Sequence, residues 1–116
     1  MGGQSQVQLA RGKVVTALSA VEATTTSKAF RANGHNAILV HCNLTGGAWT
    51  VKLQGAPTYD GNYADIYDQN NIQMATSSLS ADAVKLFVGI PENFKIVATE
   101  DTDTGAMTVT YETFTV

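Results

Sequence analysis

The stretch from residue 45 to residue 66, TGGAWTVKLQGAPTYDGNYADI, constrains the fold more than any other part of the chain. In it Trp49, Val51 and Leu53 alternate with Thr50, Lys52 and Gln54. A period of two sends one set of side chains to a buried face and the other to a wetter one, which is the pattern of a half-buried strand. Gly46 and Gly47 precede this strand and Gly55 closes it, at points where β-branched side chains could not take left-handed dihedrals. The single tryptophan is thereby expected to anchor one sheet face against a core. Asp60-Gly61 marks a tight turn, with Tyr59 and Tyr63 on either side of it.

Short β-prone runs recur between turn residues along the rest of the chain. From Lys13 to Ala23, KVVTALSAVEA, the spacing of Val14, Leu18 and Val21 fits a helix. The β-branched residues and the following Thr24-Thr25-Thr26 run fit extended chain, and a strand is the expectation. Asn33-Gly34 reads as a hairpin turn. The strand after it places Ile38, Val40, Cys42 and Leu44 on one face. Ala37, Leu39 and His41 form a second face, which is apolar enough to be partly covered. Residues 63–68 alternate again, residues 72–75 form a short strand candidate, and residues 77–82 form a loop with room for one helical turn from Ser80. Val84 to Ile90, VKLFVGI, is bulky and is expected to be buried, with Pro91 ending its ladder. Phe94, Ile96 and Ala98 supply a further strand, and Met107, Val109 and Tyr111 supply the last. Phe114 and Val116 fall on the opposite parity, which predicts a bulge or a second buried face. About eight short strands with turns between them predict an all-β fold, an antiparallel β-sandwich (jelly-roll-like) or a barrel.

A chain of 116 residues makes one domain, here residues 13–116, preceded by an arm of residues 1–12. The arm is rich in Gly and Gln and has no apolar period, so it is expected to be flexible. Fraying is the simpler reading of it. Gln4, Gln6, Val7 and Leu9 are nevertheless candidate contacts, because their alternation suits addition of a strand to a neighbour's sheet edge. A net charge of −3, with seven Lys and Arg scattered among ten acids, argues against nucleic acid as a partner. No apolar run approaches the roughly 20 residues of a membrane helix, so no membrane partner is expected. The first residues lack the basic head and hydrophobic run of a secretory signal. The lone Cys42 excludes an internal disulfide and fits synthesis in a reducing host cytoplasm.

Reaction chemistry is sparse. His35 and His41 have no cysteine at zinc-ligand spacing, and Cys42 shares a face with Val40 and Leu44, as a small core side chain would. There is neither a GxSxG stretch nor a phosphate-binding glycine loop. Asp101 and Asp103, in the acidic run from Glu100 to Gly105, are weak calcium candidates, and a solvated hairpin is the plainer reading. Asp60, Asp65 and Asp68 lie in or near turns and make a poor carboxylate pair for glycoside hydrolysis. The expectation is a protein that is not an enzyme and uses no cofactor. Tyr59, Asn62, Tyr63 and Tyr67 have two readings of equal weight: a contact surface able to stack on a host-surface glycan, or a cover for the sandwich edge.

GGAWTVKLQGAPTYDGNYADIYD, followed by KLFVGIPENFKIVATED and TGAMTVTYETF, resembles small virion proteins of tailed bacteriophages. The matching features are a TVxLQG strand running into a DG-N loop and an aromatic strand, then Gly89-Ile90-Pro91 ahead of Phe94 to Thr99. The segment SKAFRANGHNAILVHCNL is similar to the early hairpin of that group. The resemblance spans roughly residues 12 to 116, and its motifs are structural rather than catalytic. It implies a capsid decoration or stabilisation protein on the virion exterior. The implied partners are the major capsid protein and copies of itself, in a homotrimer or another symmetric cluster. A place in the tail or adsorption apparatus, or a carbohydrate-binding role, is the alternative.

Overall fold

The computed structural model describes residues 13–102 and 104–116. Nine strands occur among them: β1 (Val15–Val21), β2 (Thr25–Thr26), β3 (Phe30–Arg31), β4 (Ala37–Leu44), β5 (Ala48–Ala56), β6 (Ala64–Asp65), β7 (Ala83–Val88), β8 (Asn93–Thr102) and β9 (Met107–Phe114). One sheet has the order β1-β9-β4-β7. In the other the order is β2-β8-β5-β6, with β3 following β2 along the same edge of β8. Every pairing is antiparallel. The fold is thus a sandwich of two open sheets rather than a closed barrel.

Alternation builds the core. Trp49, Val51 and Leu53 of β5 and Phe94, Ile96 and Ala98 of β8 face Ile38, Val40 and Cys42 of β4 and Met107, Val109 and Tyr111 of β9. Burial of side chains of this size contributes about 1.5–3 kcal/mol each. Phe30, Phe94 and Tyr111 tie the sheets together, with ring centroids 5.1 to 5.9 Å apart and edge-on contacts from Tyr111 to both phenylalanines. Burial pushes the Tyr111 phenol up to about 12. Trp49 is fully buried, yet its Nε1–H reaches the Gly46 carbonyl at 3.1 Å, so its one polar atom is satisfied.

Several expectations are borne out and several are corrected. Lys13 to Ala23 does contain a strand, β1, which is interrupted by register shifts and by Ala20 at φ 48°. The β4–β9 ladder runs without a shift from Ala37↔Phe114 to Leu44↔Met107, so Phe114 marks a second, partly covered face and not a bulge. The Asn33-Gly34 turn exists, with φ of 55° and 83°, but it is no hairpin. It carries the chain from β3 in one sheet to β4 in the other. The Glu92 carboxylate holds this corner by accepting the N–H groups of Asn33 and Gly34 at 3.0 and 2.9 Å. Of residues 63–68, Ala64–Asp65 form a short strand and Tyr67 bridges to Gln73, while residues 72–75 contribute bridges alone. Residues 77–82 contain no helical turn. Glu100, Asp101 and Thr102 belong to β8, so the acidic run is the end of a strand more than a loop.

The largest correction concerns VKLFVGI. It forms β7, the edge strand of its sheet, and not a buried central one. Phe87 and Ile90 are buried, whereas Val84, Leu86 and Val88 are 59%, 48% and 49% exposed.

Cys42 is buried beside Val40 in the core, and burial pushes its thiol up to about 11. A thiol held in that form neither attacks disulfides nor binds metal at neutral pH. The folded protein is therefore expected to ignore an aromatic disulfide reagent at pH 7.5 and to react fully in denaturant. Native-state reaction at the rate of a free thiol would contradict the packing around β4.

Candidate functional site

The loop between β5 and β6 carries three of the four loop residues singled out by sequence, Tyr59, Asn62 and Tyr63, and brings the two tyrosines into contact. Its turn closes with Gly61 N–H on the Thr58 carbonyl at 3.1 Å. Tyr63 folds back so that its hydroxyl donates to the Tyr59 carbonyl at 2.7 Å, and the Tyr59 hydroxyl donates to the Ala29 carbonyl at 3.1 Å. Cations cover both rings: the Arg31 guanidinium lies 4.2 Å from the Tyr59 centroid, and Lys95 Nζ lies 4.5 Å from that of Tyr63. The Tyr63 phenol is raised by desolvation and by neighbouring Tyr59 and Asp60. Asn62 is exposed on the same loop.

Tyr67 stands apart. It is 53% exposed and bridges to Gln73, bordering a different groove with Gln69, Asn70 and Met74. The three tyrosines therefore do not form one stacking platform. Gln4, Gln6, Val7 and Leu9 lie outside the described residues.

Asp101 does not stand as an open metal ligand. Its Oδ2 accepts hydroxyl hydrogen bonds from Thr50 at 2.6 Å and Ser78 at 2.9 Å, which ties β8, β5 and the residue 77–79 segment together. Asp103 is not among the described residues. Within them, no three His, Cys, Asp or Glu side chains come close enough to hold a metal ion. Asp65 is engaged as well: Lys52 Nζ at 2.9 Å and Gln54 Nε2 at 3.0 Å hold its carboxyl below the usual range.

Sequence reasoning missed two surfaces. Lys28 and Arg31, with the more distant Lys13, border adjoining grooves around Val15 and Tyr111 at one end of the sandwich. At the other end, where β4 and β8 finish, stand Asp82, Glu100 and Asp101. Sequence spacing shows the Glu100-Asp101 run but not that Asp82 stands at the same end, nor that Lys13 meets Lys28 and Arg31, which happens only when the sheets assemble. The second surface is β7. Val84, Leu86 and Val88 share its outward face, and Leu86 lies beside half-buried Leu39 of β4. Exposed Ile72 stands across a groove from them. An exposed apolar edge strand of this kind marks a contact surface.

An all-β antiparallel sandwich of two sheets is the class that this geometry defines. In solved structures the chain is similar to YomS, a protein derived from the SPBc2 prophage. The TM-score is 0.61 at 16% identity, over 89% of this chain and 91% of that one. The likeness is one of fold. No protein-family model and no curated protein matches the chain.

Proposed function

We propose that the chain is a non-enzymatic structural protein of a tailed phage, which decorates and stabilises the capsid exterior as a symmetric oligomer. The observation that carries this reading is the exposed apolar strand β7 on a compact sandwich in which Tyr59, Tyr63 and Asp101 are already held by neighbouring groups. Such a surface suits lasting protein contact more than ligand turnover. The likeness to a prophage-derived protein and the resemblance to small virion proteins support the phage setting. Arg31 takes up one face of Tyr59 and Lys95 one face of Tyr63, which leaves less ring surface for a sugar to stack on and weakens the glycan reading. A homotrimer is the stoichiometry that the resemblance implies.

Co-sedimentation of the purified protein with heads and, separately, with tails of its phage tests the proposal. Saturable binding to heads is expected, and Val7→Asp with Leu9→Asp weakens it if the arm contributes. Binding to tails alone would move the protein to the adsorption apparatus. Binding to neither, with a positive glycan screen, would replace decoration with host-surface recognition.

A further inference from the structure

We propose that β7 is a self-association strand. It pairs antiparallel with β7 of a second copy across a twofold axis at Leu86 and joins two four-stranded sheets into one of eight. Three observations specify a second copy as the occupant. The first is the phase of the backbone. Gly89 N–H donates to the Asn36 carbonyl at 2.7 Å, so alternate residues Phe87, Lys85 and Ala83 bond to β4. Val84, Leu86 and Val88 therefore turn their N–H and C=O groups to the open side. Twofold pairing of Leu86 with its own copy sets Val84 against Val88 and Val88 against Val84, all through outward-pointing residues. Every such group in the triplet then finds a partner.

The second observation is the side-chain pattern. Val-x-Leu-x-Val on the outward face reads the same in both directions, so this register sets apolar on apolar throughout. The ladder continues through Leu39 on each side. Self-complementarity is what an isologous contact requires and what an unrelated partner has no need of. The third is the edge itself. The β4–β7 register has no bulge, and β7 contains no proline.

Lys85 is the one residue that opposes pairing, because an inward-pointing lysine on an edge strand usually guards it. In this register Lys85 meets Phe87 of the second copy and not its own counterpart. Its ammonium already lies 5.9 Å from the Phe87 ring of its own chain, and Asp68 lines the same groove. A cation facing an aromatic ring tolerates closure far better than two facing lysines would. The contact is independent of capsid binding: it is made in solution by the protein alone. A threefold cluster would need a separate, heterologous surface.

Cysteine cross-linking in the full chain, together with sedimentation velocity, tests the register. Residues paired directly across an antiparallel ladder have Cα atoms about 5.5 Å apart, within disulfide reach. Leu86→Cys is expected to give a covalent dimer on mild oxidation. Val84→Cys alone is expected to stay monomeric on a denaturing gel, since its counterpart lies about 14 Å away along the strand. The wild-type chain, with only buried Cys42, serves as the blank. Leu86→Lys is expected to sediment as a monomer with an unchanged circular dichroism spectrum, whereas the wild type sediments as a dimer. A wild type that stays monomeric at every concentration overturns the proposal. So does equal cross-linking of the two cysteine variants. A dimer that survives Leu86→Lys but is lost on Val7→Asp with Leu9→Asp overturns it too, by making the arm the occupant.

Discussion

Replacing Trp49 with alanine is expected to cost about 3–5 kcal/mol, the range for deleting a large aromatic side chain from a packed core. Trp49 heads the largest fully buried side chains and lies between the two sheets. Its loss leaves a cavity that the surrounding strands cannot close, because β5 is hydrogen-bonded to β8 along nearly its whole length. The Gly46 carbonyl also loses the indole donor. Since domains of this size are stable by about 5–15 kcal/mol in total, the loss removes about a fifth of the stability or more. Urea unfolding followed by far-ultraviolet circular dichroism measures the difference, and Trp49→Phe, which keeps most of the volume, should lose far less. A penalty below about 1 kcal/mol for the alanine variant would mean that the sheets do not meet at this side chain.

The second large effect is expected at Gly105, where two backbones touch. The segments at Thr45–Gly47 and Thr104–Ala106 are stitched by Thr45 N–H on the Ala106 carbonyl at 3.0 Å and by Ala106 N–H on Thr45 Oγ1 at 2.9 Å. Gly105 has φ +79°, and a Cβ there would meet the Gly46 backbone nitrogen at 2.6 Å, with the Gly46 carbonyl closer still. Backbone cannot swing aside as a side chain does. Gly105→Ala therefore carries left-handed strain of about 1–3 kcal/mol and, on top of it, a displacement of the neighbouring segment. Gly34→Ala is the control, since its φ is +83° and nothing lies within 4 Å of the added methyl. It should show the dihedral cost alone. Equal melting temperatures for the two variants would contradict the close approach.

Local periodicity carried much of the fold. The alternation of Trp49, Val51 and Leu53 and that of Met107, Val109 and Tyr111 reappear as inward faces of β5 and β9, because a strand with one buried face must alternate. What periodicity cannot encode is a strand's place in its sheet. VKLFV reads as buried because bulky β-formers at a central position and at a sticky edge look alike. The tertiary order put β7 at the edge. Turn chemistry likewise set the dihedrals at Asn33-Gly34 without saying that the flanking strands join different sheets. The alternation in residues 63–68 was misleading for a related reason. One side of β5 is shared by Ala64–Asp65, Ala75 and Leu79, and those short pieces leave no room for a full strand. At the candidate site, Tyr59 and Tyr63 were legible as loop aromatics. Their capping by Arg31 and Lys95 was not, since those cations come from distant strands.

Quantitative co-sedimentation with phage heads is the most direct test of the proposed role. Purified heads lacking the protein are titrated with it, and the bound copies are counted against the major capsid protein. Saturation at a fixed, integral ratio to the capsomers, with heads that then resist heat or low salt better than undecorated ones, is the predicted result. Absence of saturable binding to heads, or saturation on tails only, would contradict capsid decoration.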